Sequence, residues 1–298
     1  MDQYWYVDER HQILSGEEAK RHLERVSDSI FLTDSQGIVS IPHDRWLRAQ
    51  TFERIGWMEK WRASIDDRNV GHYVDFDRYR TLSGLRFNHA IEIGCGPFTN
   101  LRLIGRVCRI RECTLLDPLI KDYLEHPHCA YDESALRCEV PRYLIGAPNS
   151  LAVRALRRVH RALSVVGGGR IKIHSILDTP VEEARLPYRC DLIVIVNVLE
   201  HCYDVNLVFK SILELAAPGA ILVYHDKCYD HRQVEAMVRG HYYEAGHPLM
   251  VDRMLIEAFL EKHFDPLFSR RAVKPLSIPG FSEYEGLFFI GRLKGTPD

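Results

Sequence analysis

Short apolar runs alternate with amphipathic stretches along most of this chain. Apolar runs fall at 89–93, 113–116, 170–174, 190–196 and 221–226, and each ends in polar or turn-forming residues. Between them the apolar positions change to helical spacing, as in Leu101, Leu103, Ile104 and Val107, which predict a helix over 98–109. Further helices are predicted from 119, over 151–165, over 205–215 with Asp204 as its cap, and over 252–263. Regular strand–helix alternation predicts a parallel sheet with helices on both faces, the doubly wound α/β class. The run Cys190-Asp191-Leu192-Ile193-Val194-Ile195-Val196 fits a central strand covered on both sides. Two more strands, 267–274 and 284–293, are joined by a Pro/Gly-containing loop and close the chain.

The flanks are less regular. Residues 17–26 read as a short polar helix, and 30–39 as a small hairpin with its turn around Gly37. Trp46, Ala49, Phe52 or Glu53, and Trp57 fall near one helical face, read as aromatics packing onto the core in preference to a substrate-stacking surface. His72, Tyr73 and Tyr79 precede the first strand, where a ligand is within reach. Residues 234–241 read as helical and 242–249 as a loop. The connection from 118 to 169 is longer than a strand–helix–strand crossover needs. It is an insertion that serves either the acceptor pocket or an oligomer contact, so a homodimer stays open. Its Arg154, Arg157, Arg158 and Arg161 read as a solvated helix face.

Composition narrows the function. The chain has 298 residues, 46% of them hydrophobic, enough for one large α/β domain with an elaboration. A net charge of −2 provides no electrostatic footprint for nucleic acid. No apolar run is long enough to span a bilayer, and the first residues lack a signal pattern, so a cytoplasmic location is expected. The eight cysteines form no C-x-x-C pair and read as reduced, mostly buried thiols. His126-Pro127-His128-Cys129 is the local cluster with metal-ligand residue types, and it reads as a polar loop; no metal is expected.

The chemistry centres on Glu92-Ile93-Gly94-Cys95-Gly96-Pro97-Phe98-Thr99. A strand passes through two glycines into a helix, the layout of a nucleotide-type site at the carboxyl end of a parallel strand. A dinucleotide fingerprint would require glycine or alanine where Thr99 stands, and Pro97 removes an N–H that a pyrophosphate would use. Glu92 is also a poor neighbour for phosphates and suits a cationic or amine-bearing ligand. Asp117 ends the second strand 23 residues beyond Gly94, where a carboxylate can accept both ribose hydroxyls, with Pro118 opening the next helix.

The pattern E-x-G-x-G resembles motif I of class I S-adenosylmethionine (SAM) dependent methyltransferases, of the type-11-like small-molecule kind. R-W-x-x-A-Q-x-x-E-x-x-x-W from Arg45 to Trp57 resembles the helix before that motif, which caps the SAM pocket in the family. Glu182-Glu183-Ala184-Arg185-Leu186-Pro187-Tyr188 resembles the loop bordering adenine, with Asp178 and Glu183 as the acids to weigh. Asn197-Val198-Leu199-Glu200-His201 resembles the loop beside the sulfonium, and Pro218-Gly219-Ala220 the turn before strand five, with Ala220 departing from the usual glycine. The resemblance covers about 45–293. It implies a Rossmann-like sheet of order 3-2-1-4-5-7-6 with its last strand antiparallel, a helical and hairpin cap over 1–80, and a methyltransferase domain over 81–298. It implies SAM as cofactor, held by Glu92, Gly94, Cys95, Gly96, Asp117, Pro118, Glu183, Asn197, Val198 and Leu199.

Methyl transfer requires alignment of donor and acceptor, and a base only when the acceptor holds its proton at neutral pH, as a hydroxyl does. Candidates for the base lie at the carboxyl edge: His201, His225, Asp226 and His247. Motifs for methylating nucleobases are absent, which with the acidic pI of 6.7 favours a small-molecule acceptor, a hydroxyl of a sugar or secondary metabolite, without a nucleic-acid or membrane partner. The competing expectations are a non-catalytic scaffold that binds SAM or its product, and an NAD-dependent oxidoreductase.

Overall fold

A computed structural model of the chain describes residues 5–7, 13–15, 17–18, 21, 37–60, 69–136, 171–230, 232–234, 246–278 and 281–295. Its centre is a seven-stranded sheet: β1 (Arg86–Ile93), β2 (Arg109–Leu116), β3 (Lys172–Leu177), β4 (Cys190–Val196), β5 (Ala216–Cys228), β6 (Phe264–Ile278) and β7 (Phe281–Leu293). The strand order is 3-2-1-4-5-7-6. Pairs β1–β2, β1–β4, β2–β3 and β4–β5 are parallel; β7 runs antiparallel to both β5 and β6. The order in which strands are added reverses between β1 and β4, so the carboxyl ends of these two parallel strands flank the switch point, where open α/β sheets bind ligands.

Helices cover the sheet: α1 (His43–Ile55), α2 (Asn69–Asp75), α3 (Leu101–Ile104), α4 (Ile120–Leu124), α5 (Val205–Leu215) and α6 (Arg253–His263). The two best-formed are capped by their own sequence. Asp204 accepts from Leu207 N at 3.0 Å and Asp252 from Met254 N at 2.7 Å. α5 buries Val205, Val208, Phe209, Ile212 and Leu215, one apolar stripe at helical spacing. Phe209 stacks on Phe259 of α6 with centroids 3.9 Å apart and planes within 3°. Alternate strand residues feed the two faces of the sheet. Ile91, Ile93, Ile193, Ile195 and Tyr224 join one core with α5 and α6, and Ala90, Leu115, Leu192, Val194 and Val223 join the other.

Several sequence expectations need adjustment. α3 is one turn rather than twelve residues, because β2 begins at Arg109 and the chain must already turn at Gly105. A Cβ on Gly105 would come within 2.7 Å of Ile171 Cδ1. β3 starts later and runs farther than 170–174, to Leu177, which pairs with Leu116 at the end of β2. Gly37, at φ +91°, pairs with Val251, and Ile38 with Met250, while the first half of the hairpin expected around it lies outside the described residues. Only Gly fits there, since a Cβ would sit 2.2 Å from Met250 O. An antiparallel pairing of Trp5–Val7 with Ile13–Ser15 is also present. The helix expected over 151–165, most of those over 17–26 and 234–241, residues 30–36 and Cys138 lie outside the described residues. The other seven cysteines are buried, and none is joined to another described cysteine by a disulfide.

The Phe209–Phe259 stack joins the two helices on one face of the sheet. Phe209→Ala is expected to lower unfolding free energy by about 3–5 kcal/mol in urea titration. A loss below about 1 kcal/mol would show that this contact does not hold the layer together.

Candidate active site

A cleft opens at the carboxyl ends of β1, β2 and β4, enclosing about 910 Å³ of space that includes open solvent. Its floor is the glycine turn. Gly94 and Gly96 adopt φ of +63° and +53°, open to glycine at little cost. A Cβ on Gly94 would strike Val198 Cγ2 at 2.4 Å, so this glycine is needed for β1 and the post-β4 loop to meet. Nothing lies within 4 Å of a Cβ built on Gly96, which leaves its backbone open towards a ligand.

Four buried carboxylates, three at strand ends and one in the one-turn helix Val181–Glu183, shape the loops around the cleft. Glu92, at the end of β1, accepts from Asn100 N at 2.7 Å, Leu101 N at 3.1 Å, Asn100 Nδ2 at 3.0 Å and the Thr99 hydroxyl. It therefore caps α3 from within and does not line the cleft. Burial raises its carboxyl above the usual range, and these donors pull it back. The sequence suggests a ligand contact for Glu92; its oxygens instead face the backbone of the turn. Thr99, the departure from the dinucleotide pattern, is one of its donors.

Asp117 does line the cleft. Its Oδ2 accepts from Gly96 N at 3.0 Å and its Oδ1 from Leu119 N at 2.9 Å. A carboxylate has about four lone-pair sites, so two remain for a ligand. Burial pushes this carboxyl up to about 6, against the pull of the two N–H groups. Asp226, at the end of β5, accepts from Val198 N at 3.1 Å, Leu199 N at 2.5 Å and Lys227 N at 2.8 Å. Burial and the nearby Glu200 push it up to about 7.

Glu182 is the fourth. Its Oε1 accepts from Tyr203 N at 2.7 Å and Asp204 N at 3.3 Å. Its Oε2 is buried with no hydrogen-bond partner, and the residue lines the cleft. An orphaned buried carboxylate oxygen at a cavity wall is a vacant acceptor for a ligand N–H or O–H. Glu183 is exposed and accepts from the Tyr203 hydroxyl at 3.2 Å, while Asp178 pairs with Lys121 at the surface. Neither lines the cleft. Sequence reasoning passed over Glu182 because three acids stand within five positions, and only the one-turn helix Val181–Glu183 decides which faces inward.

Among the other expected cofactor residues, Cys95, Pro118, Asn197 and Val198 line the cleft, and Leu199 lies behind it. Asn197 takes φ +61° as the chain leaves β4, with its N–H bonded to His225 O at 2.7 Å. The expected cap is in place. Trp46, Gln50 and Glu53 of α1, Trp57 of the π-helical turn Gly56–Lys60, and His72 of α2 form a wall of the cleft. Trp46 Nε1 and Gln50 Nε2 both donate to His201 O, at 3.0 and 3.1 Å, which fastens α1 to the post-β4 loop. Tyr79 is instead fully buried and stacked on Phe76, and Tyr73 lies outside the cleft wall.

The four candidate bases divide into two pairs. His225 is buried, stacks on Phe288 at 3.8 Å and meets Leu287 O through Nδ1 at 2.9 Å; neither it nor Asp226 lines the cleft. His201 does, with Nε2 3.5 Å from Glu53 Oε1. His247 packs beside it, ring centroids 4.4 Å apart, with Nε2 3.5 Å from Glu200 Oε1. Glu200 also takes Lys227 Nζ at 2.7 and 2.8 Å. Burial opposes its charge, yet His247, Lys227 and His201 together hold its carboxyl well down, at about 2. Burial lowers the His201 imidazole, with Glu53 acting against it. Glu53 was visible in sequence as a position one turn past Gln50, without a role. His126, His128 and Cys129 do not gather into a ligand set among the described residues.

Three carboxylates, Glu53, Asp117 and Glu182, line the cleft, and among the described residues no lysine or arginine does. A pyrophosphate would meet repulsion without a compensating cation. A ligand with an amino group, a sulfonium and ribose hydroxyls meets acceptors, so the residues present fit SAM and not a dinucleotide.

Comparison with known proteins agrees with this fit. A family model described as a methyltransferase domain matches residues 69–274, more than half of the chain. No curated protein matches by sequence. Among solved structures, the chain is similar to the N-methyltransferase NodS of Bradyrhizobium japonicum WM9 in complex with S-adenosylhomocysteine. That match has 15% identity and TM-score 0.46, and covers 81% of this chain and 99% of that one. It is also similar to a putative methyltransferase of Bacillus halodurans C-125, with 9% identity, TM-score 0.47 and coverage of 74% and 98%. A third is a SAM-dependent methyltransferase of Leishmania major, with 13% identity, TM-score 0.43 and coverage of 97% of both chains. Likeness at this level carries no weight for substrate. With the family match over 69–274, the strand order 3-2-1-4-5-7-6 and the cleft at its switch point, the chain belongs to the methyltransferase-domain family and is a class I SAM-dependent methyltransferase.

Proposed function

We propose that this enzyme methylates a small-molecule acceptor at a hydroxyl oxygen, a sugar or secondary metabolite being the substrate class. The observation that carries this reading is the Glu53–His201 pair on the cleft wall, with Nε2 facing Oε1 at 3.5 Å. A hydroxyl holds its proton at neutral pH and requires a group that assists its loss, whereas a carboxylate acceptor requires none. When bound, SAM supplies a methyl group already activated on a sulfonium.

In this reading Gly94 and Gly96 let the backbone approach the cofactor. Asp117 accepts from the ribose hydroxyls through its two remaining lone-pair sites, and Glu182 Oε2 accepts from an N–H of the adenine end. Asn197 and Val198 form the wall beside the reacting centre. Trp46, Trp57 and α1 exclude water from it. Residues 1–80 then act as a cap and 81–298 as the catalytic domain. A net charge of −2 supports an acceptor other than nucleic acid. No helix among the described residues is long and apolar enough to cross a membrane, and cysteines that form no disulfide with one another among the described residues support a reducing, cytoplasmic setting.

Two outcomes test this. Asp117 must be ionised to accept from both hydroxyls, and burial pushes its carboxyl up to about 6. SAM affinity is therefore expected to be level at neutral pH and to weaken below about pH 6, by at most about tenfold per unit. Asp117→Asn should remove that break; a wild-type profile level down to about pH 5 would argue against the ribose role. For the acceptor, S-adenosylhomocysteine release is measured over a panel of alcohols, phenols, sugars and amines. Turnover on a hydroxyl compound is expected, with His201→Gln losing about 10²-fold in kcat and little in SAM affinity. Turnover confined to amines, with His201→Gln near wild type, would sink the hydroxyl reading.

A further inference from the structure

Glu53 and His201 do not stand alone at the cleft wall. His201 Nδ1 lies 3.0 Å from the Gly246 carbonyl oxygen, which can only accept. Nδ1 therefore carries the hydrogen, and in the neutral ring Nε2 carries a lone pair. That lone pair faces the Glu53 carboxylate at 3.5 Å. Two electron-rich atoms therefore face each other, an arrangement that a cation between them would reconcile. His247 closes the group: one ligand atom each from Glu53, His201 and His247 fall within 4.8 Å of one another.

We propose that Glu53, His201 and His247 hold a divalent first-row metal ion at the wall of the acceptor side of the cleft. Two imidazoles and one carboxylate suit zinc, cobalt or manganese, and three protein ligands leave coordination positions open, as catalytic sites do. Ligating histidines characteristically present their second nitrogen to a carbonyl or carboxylate that fixes the ring. Both rings here do so, His201 to Gly246 O at 3.0 Å and His247 to Glu200 Oε1 at 3.5 Å. Lys227, the nearby cation, is held on Glu200 at 2.7 Å and so offset by its charge. The ligand for the open positions is an oxygen of the acceptor. A divalent ion on a hydroxyl oxygen lowers its proton affinity, and the proton leaves to bulk water. This last step rests on the hydroxyl reading above; the metal site itself does not.

A second cluster, His89, Glu112 and His174, also meets the residue types but stands on the sheet away from the cleft, with no described cavity beside it. It serves as the internal control. The full chain is stripped with a chelator and titrated with Co²⁺ and Zn²⁺, following cobalt absorption and calorimetric stoichiometry. One ion per chain is expected, with affinity at least about tenfold weaker in His247→Gln and in Glu53→Gln, and unchanged in His174→Gln. SAM titration of the stripped protein and circular dichroism of each variant accompany it. No binding by folded wild type overturns the site. So does a single ion lost in His174→Gln but kept in His247→Gln, which would place it on the other cluster. Should Glu53→Gln fail to fold, His247→Gln decides alone. Metal binding with turnover confined to amines would fail the hydroxyl reading and keep the site, whereas hydroxyl turnover without metal would do the reverse.

Discussion

A buried carboxylate has to find hydrogen bonds or lose its charge, and Glu92 finds them in the backbone of the turn that follows it. Its four contacts to Thr99, Asn100 and Leu101 tie the end of β1 to the start of α3. That fixes the path through Gly94 and Gly96, and hence the floor of the cleft. Asp226 does the same for the loop after β4, gripping Val198 and Leu199 from the neighbouring strand. Asp117 grips Gly96 and Leu119, and Glu182 grips Tyr203 and Asp204. Strand ends set in a rigid sheet thus place loops that carry little regular structure of their own.

The same device decides the chemistry. Carboxylates spent on backbone N–H groups raise no net attraction for a phosphate, and those that reach the cleft repel one. Asp117 and Glu182 line the cleft, while Glu92 and Asp226 do not. The burial that raises the Asp117 carboxyl to about 6 is a desolvation cost to the fold at a residue that lines the cleft. Active sites are where such strain collects.

Much of the fold was legible because its signals are local. The unbroken run of β4 and the stripe and Asp204 cap of α5 fall on the expected residues. The glycine pair and Asp117 are a spacing signal, and the structure brings them to one wall. What was not legible is set by contacts distant in sequence. Gly37 finds its partner at Val251, and α3 is cut short by the start of β2. Glu92 reads as a ligand contact until its bonds are traced eight and nine residues on. His225 sits in a stretch that reads as catalytic, yet alternation along β5 turns it onto Phe288. Glu53 and His247 are about two hundred residues apart in sequence, and only the folded chain shows them beside His201.

The central claim is that this cleft is built for SAM and not for a dinucleotide. Calorimetric titration of the full chain with SAM, S-adenosylhomocysteine and NAD tests it most directly, with Asp117→Ala alongside. Micromolar-range binding of the first two is expected, without binding of NAD, and with loss in the folded variant. Folded protein that ignores SAM and its product, or takes up NAD as well as either, would contradict it.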